Sequence, residues 1–99
     1  MSFRVRYTRA AREDLKRLFA YWVKRDPAAA RRALETIRKG TDILRDFPFT
    51  CRKASASTPL LRELVIPFGG AGFVALFKID DADTVTILAL RHQREDDYH

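Results

Sequence analysis

The last third of the chain, Leu60 to Tyr98, limits the possible folds most. It reads LLRELVIPFGGAGFVALFKIDDADTVTILALRHQREDDY. Three runs rich in Val, Ile, Leu and Phe are parted first by Pro67, Gly69, Gly70 and Gly72, then by the acidic turn Asp80-Asp81-Ala82-Asp83. Short β-branched and aromatic runs divided by turn formers are the pattern of an antiparallel meander. A meander buries an apolar face only if another layer lies on it, so the first half of the chain must supply that layer.

That half supplies two helices. Phe3, Val5 and Tyr7 alternate with Arg4, Arg6 and Thr8, which predicts a short strand at a sheet edge, its charges discouraging edge-to-edge pairing. Thr8 is placed to cap a helix over about Arg9 to Arg25, with Ala11, Leu15, Leu18, Phe19 and Trp22 as its apolar stripe. Asp26-Pro27 then ends one helix and starts another over about Pro27 to Arg45, striped by Ala30, Leu34, Ile37, Thr41 and Leu44. Gly40 within that stripe costs about 1 kcal/mol, which a close backbone approach would explain. Pro48 to Pro59 reads as a polar surface loop. The expected fold is α+β: a small, mainly antiparallel four-stranded sheet packed on a two-helix hairpin, in the order β-α-α-β-β-β, as one domain over residues 1–99.

The meander has apolar residues on both faces. Leu64 and Ile66 share a face with Arg62, while Leu61 and Val65 lie opposite. Phe73, Ala75, Phe77 and Ile79 alternate with Val74, Leu76 and Lys78. In the third run Val85, Ile87 and Ala89 alternate with Leu88 and Leu90. One helical hairpin covers one face of a small sheet. Leu61, Val65, Val74, Leu76, Leu88 and Leu90 are therefore expected to form an uncovered apolar groove, a surface suited to a protein partner's helix or added strand.

Composition narrows the function. The 99 residues carry a net charge of +6, divided so that residues 1–53 hold 15 Lys/Arg against 6 Asp/Glu and the rest hold 4 against 7. A basic half points to nucleic acid, nucleoprotein or an acidic protein as partner. The single cysteine, Cys51, excludes an internal disulfide and reads as a reduced bystander. With no apolar run near 20 residues and no signal-peptide core, a cytoplasmic protein is expected.

Catalytic motifs are absent. Gly69-Gly70-Ala71-Gly72 joins two strands and opens no helix, so it is no phosphate loop, and one cysteine with His92 and His99 makes no metal-ligand set. No metal or cofactor is expected. The reactive set the residues offer is basic: Arg52, Lys53, Arg62, Arg91, His92 and Tyr98 could converge on a phosphodiester, with arginines stabilising charge and His92 or Tyr98 handling a proton.

The order strand, two helices, three strands, with TRAAREDL opening the first helix, Asp26-Pro27-Ala28-Ala29-Ala30 the second, LRELVIPF on the next strand and ILALRHQREDDY at the end, resembles the RelE/ParE superfamily of type II toxins. RELVIPF and RHQRE are similar to the ParE branch, also called plasmid stabilisation proteins. The resemblance implies a toxin that poisons DNA gyrase without turnover of its own and is neutralised by a ParD-like antitoxin in a hetero-oligomer. It makes the apolar groove the antitoxin's docking surface and Arg62, Arg91, His92, Arg94 and Tyr98 the target contacts. Two alternatives stay open. One is a RelE-like ribosome-dependent mRNA endonuclease using Arg62, Arg91, His92 and Tyr98; the other is a non-toxic antitoxin-binding module.

Overall fold

The computed structural model describes residues 2–95. Along the chain run β1 (Arg4–Tyr7), α1 (Arg9–Val23), α2 (Pro27–Asp42), two 3₁₀ turns (Ile43–Arg45 and Pro48–Thr50), β2 (Arg52–Lys53), β3 (Leu61–Phe68), β4 (Ala71–Ile79) and β5 (Thr84–His92). They build one five-stranded sheet in the order β1-β5-β4-β3-β2, with the helical hairpin on one face. None of the helices among the described residues is long and apolar enough to cross a membrane.

Both predicted caps form. The Thr8 hydroxyl accepts from the Ala11 amide at 3.1 Å, and the Asp26 carboxylate accepts from the Ala28 and Ala29 amides ahead of Pro27. Each satisfies amides that a helix start leaves without a partner. The hairpin lays Leu18, Ala33 and Ile37, and the 3₁₀ turn after it Leu44, onto Leu64, Ile66, Phe73, Phe77, Val85 and Ile87 of the sheet. Gly40 does mark a close approach: a β-carbon there would fall 2.9 Å from the Ile66 side chain. Gly69 takes φ 61° at the first of two turn positions between β3 and β4, the place where a type II′ hairpin needs glycine.

Three expectations need correction. The sheet has five strands and is mixed, because β1 pairs in parallel with β5 while the other pairs are antiparallel. The fifth strand is β2, two residues inside the segment expected to be a loop. No alternation announces it, and backbone pairing to Arg62 and Glu63 of β3 defines it. The α-helices also end earlier than expected, at Val23 and Asp42, and Ile43–Arg45 winds on as a 3₁₀ turn.

The third correction concerns β5. Leu76 pairs with Ala89 while Phe77 pairs with Ile87, so Leu88 is an extra residue on β5. Such a bulge reverses the in-and-out alternation beyond it. Leu90, expected in the groove with Leu88, is instead fully buried on the helix side with Val85 and Ile87, and Ala89 turns to the open face. Partners for the displaced backbone come from α1 and its cap. The Leu88 carbonyl accepts from the Thr8 hydroxyl, the Ile87 carbonyl from the Thr8 amide, and the Leu90 amide donates to Asp14 at 2.9 Å. Asp14 is thus buried for a reason, since a buried amide without an acceptor costs about 1–3 kcal/mol.

Candidate functional site

The end of β5 meets α1 and the β3–β4 turn, and all three line one cleft of about 830 Å³. Its walls come from Leu18, Tyr21 and Trp22 of α1, Ala29 of α2 and Phe68 to Ala71 of the hairpin. Arg17, Arg32, Arg94 and His92 stand around them, with two carboxylates, Asp26 and Glu95, that are engaged at the α2 cap and with Arg17. Aromatic rings step through the wall: Tyr21 edge-on to Trp22 at 5.7 Å, Trp22 edge-on to Phe68 at 5.7 Å, Phe68 beside Phe73 at 5.6 Å, and Phe73 against the His92 edge at 5.8 Å. Arg25 lies 3.8 Å over the Tyr21 ring, a cation–π contact at the rim.

The exit of β5 is held from α1. Arg17 donates to Glu95 Oε1 at 3.0 Å and to the Leu90 carbonyl at 3.2 Å, and its guanidinium lies 3.6 Å from Asp14. Glu95 Oε1 also accepts from the His92 amide at 2.9 Å. Arg91 folds over the same turn and donates to the Glu95 carbonyl at 2.7 Å. His92 Nδ1 accepts from the Arg94 amide at 3.1 Å, which requires the proton of the neutral ring to sit on Nε2. The polar exit is therefore a fixed turn whose first shape-giving partners are Arg17 and Asp14. Neither was a sequence candidate. The signal was their i,i+3 spacing on the apolar side of α1, where a carboxylate and a guanidinium need partners.

Of the sequence candidates, His92 and Arg94 line the cleft together, and Arg91 lies on the same turn. Arg62 does not join them. It is level with Phe77 on the helix side, whereas Arg91 is level with Val74 on the open side, three positions or about 10 Å further along β4. Arg62 instead holds the loop, donating to the Pro59 carbonyl at 2.7 Å and to those of Phe49 and Cys51 at 3.0 and 2.9 Å. Arg52 is paired with Glu63 at 3.0 Å, and Lys53 is aligned with Arg62. Tyr98 lies outside the described residues. Burial pushes the Cys51 thiol up against the opposing pull of Arg62, the reverse of an activated nucleophile.

On the open face Leu61, Leu76 and Leu88 are half-buried, Val65 is exposed, and Val74 is buried beside its register partners Val65 and Arg91. Glu63 and Lys78 share that face, so its apolar row is interrupted by charge. The cleft, by contrast, is concave. Apolar walls under guanidinium groups suit an amphipathic segment bearing carboxylates, which would desolvate its apolar side and meet the arginines at the rim.

A fold of this kind is found among toxin–antitoxin proteins. A solved structure titled the chromosomal ParDE TA system from P. aeruginosa matches with a TM-score of 0.73 over 96% of this chain and 98% of that one, at 22% identity. Residues 5–97 match the family described as the ParE toxin of the type II toxin–antitoxin system parDE, and the chain belongs to that family. Two curated relatives, both from Caulobacter vibrioides, carry RelE names. Toxin RelE1 is 33% identical over 79 residues, covering 80% of this chain and 82% of its own, and toxin RelE3 is 33% identical over 85 residues, covering 86% and 88%.

Proposed function

We propose that this protein arrests growth by trapping DNA gyrase on cleaved DNA, and that a ParD-like antitoxin neutralises it by direct binding. Membership of the ParE toxin family supports the toxin reading. The gyrase reading is supported over the nuclease by one observation: Arg62 and Arg91, two of the residues that mRNA cleavage would need together, stand on opposite faces and are engaged with backbone carbonyls. The target contacts are the β5 exit, Arg91, His92 and Arg94, continuing to Tyr98.

The antitoxin is proposed to lay an acidic amphipathic segment in the cleft, where His92 and Arg94 line the wall. Neutralisation is then occlusion, because antitoxin and target need the same turn. Leu61, Val65, Leu76 and Leu88 on the open face form a second stretch of the antitoxin footprint. The names of the two RelE relatives favour the other target, mRNA in the ribosome.

The test incubates purified toxin with gyrase, ATP and supercoiled plasmid, and measures protein-linked cleaved DNA after denaturation. Accumulated cleavage that antitoxin abolishes is the expected result. A preparation that stops growth in cells but leaves gyrase untouched, and that cuts mRNA in a translation extract, overturns it in favour of the nuclease. A chain that binds antitoxin but arrests nothing is the non-toxic module.

A further inference from the structure

The positive charge of the chain is concentrated on the solvent side of the helical hairpin. Residues 9–42 hold ten Lys/Arg and five Asp/Glu, which accounts for five of the six net charges of the whole chain. Four of those carboxylates have close basic neighbours: Glu13 lies 3.7 Å from Lys16, Asp14 3.6 Å from Arg17, Glu35 4.0 Å from Arg38, and Asp42 3.3 Å from Arg45. Arg9, Arg12, Lys24, Arg31, Arg32 and Lys39 are exposed, and among the described residues no carboxylate reaches them within salt-bridge distance.

Lys39 in the last turn of α2 and Lys24 at the C-cap of α1 suit the helix dipole, but the start of α1 is not what helix stability asks for. The first turn of α1 has no acidic residue, and Arg9 and Arg12 lie at its positive end. Cations there oppose the helix dipole, each at a cost of about 0.3–1 kcal/mol. α1 has no basic residue in its last turn, where one would help. A merely solvated face would gain from the opposite arrangement.

We propose that this outer face of the hairpin is a binding surface for the phosphate backbone of duplex DNA. The helix of 15 residues gives the surface a length of about 22 Å. Over that length a duplex presents about 13 phosphates. The face lacks the apolar or aromatic anchor that centres most protein interfaces. Midway along the two helices it carries the paired charges Glu13–Lys16 and Glu35–Arg38, and near the turn between them the small side chains of Ala20 and Ala28. Backbone binding needs no such anchor, only unpaired cations. The proposal is independent of the gyrase reading, since, apart from Arg32 at the cleft rim, its cations lie away from the cleft and from the β5 exit.

The test is fluorescence anisotropy of a labelled DNA duplex with the full chain, starting at about 50 mM salt and raised stepwise. Binding should weaken with salt at a log–log slope of about −5, for six phosphates neutralised. Replacing Arg9, Arg12, Arg31 and Lys39 together by Gln should weaken it at least tenfold and flatten the slope by about 3 to 4. Replacing Arg4, Arg6, Lys53 and Lys78 by Gln removes the same net charge from the strands instead of the helices and should change affinity less than threefold. A smaller pair, Arg12→Gln with Arg31→Gln, should flatten the slope by about 2 and guards against a folding defect in the fourfold variant. Absence of binding, equal losses from the two fourfold variants, or tighter binding to single-stranded RNA or anionic vesicles at the same salt each overturns the assignment.

Discussion

The two faces of the sheet carry nearly the same residue types and have opposite fates. On the helix side Phe73, Phe77, Val85, Ile87 and Leu90 lose essentially all contact with solvent. On the other side Leu61, Leu76 and Leu88 keep part of theirs, and Val65 is 39% exposed. The helical hairpin makes this difference, and hydrophobicity does not, for both faces alternate equally well. An apolar row with no cover inside its own chain is where a partner can gain what folding left unused.

The largest test of the contrast compares neighbours on β4. Phe77→Ala should lower stability by about 3–5 kcal/mol, through lost burial and the cavity left behind. Leu76→Ala, one residue away and facing outward, should cost less than about 1.5 kcal/mol. Urea unfolding followed by circular dichroism measures both. Equal losses would mean that the open face is as tightly packed as the core.

Two glycines sharpen the same point because both approach Ile66. At Gly72 a β-carbon would stand 2.3 Å from the Ile66 carbonyl oxygen, which is backbone and cannot rotate away. At Gly40 it would meet the Ile66 side chain, which can move, and Ala would gain about 1 kcal/mol of helix propensity in return. Gly72→Ala should therefore cost about 3 kcal/mol, and Gly40→Ala about 1 kcal/mol or less, by the same unfolding measurement.

Asp14 tests what pins the bulge. Asp14→Ala leaves the buried Leu90 amide without its acceptor and should cost about 1–3 kcal/mol. Because Arg17 also loses its neighbour, amide exchange at Leu90 and His92 should quicken more than at Val85, beyond the reach of Asp14. Uniform exchange along β5 would show that the bulge holds without α1.

Much of this was legible in the residues, and the failures share one cause. Thr8, Asp26-Pro27 and the Gly69 turn are local signals, each sufficient to place an element boundary. The bulge at Leu88 is not local. Its reason lies with Thr8 and Asp14, more than seventy residues earlier, so simple alternation put Leu90 on the wrong side. β2 exists only through its pairing with β3. Arg62 looked like a phosphate ligand because the carbonyls it holds belong to a loop whose path the sequence does not trace. The cleft escaped notice because Tyr21 and Trp22 read as packing, which Trp22 also is.

The smallest effect is at the edge of the covered face, where β1 meets α2. The Tyr7 hydroxyl lies 2.7 Å from Thr41 Oγ1, and burial raises its pKa above the ordinary 10.0, against the lowering effect of that hydrogen bond. Raised means that the folded state holds the phenolic proton more firmly than the unfolded chain. Tyr7 therefore adds stability that is fully present below pH about 10, where both states are protonated, and is lost as pH rises through the folded value. Tyr7→Phe should lower stability by about 0.5–1.5 kcal/mol at neutral pH, through the lost hydrogen bond. It should also remove part of the alkaline decline, so the two unfolding midpoints converge above pH about 10. Val65 on the open face has no such group, and Val65→Ala should give a constant offset at every pH. A Tyr7→Phe offset that is also constant would mean that the phenol titrates alike in both states and that the cover over β1 is looser than its burial indicates.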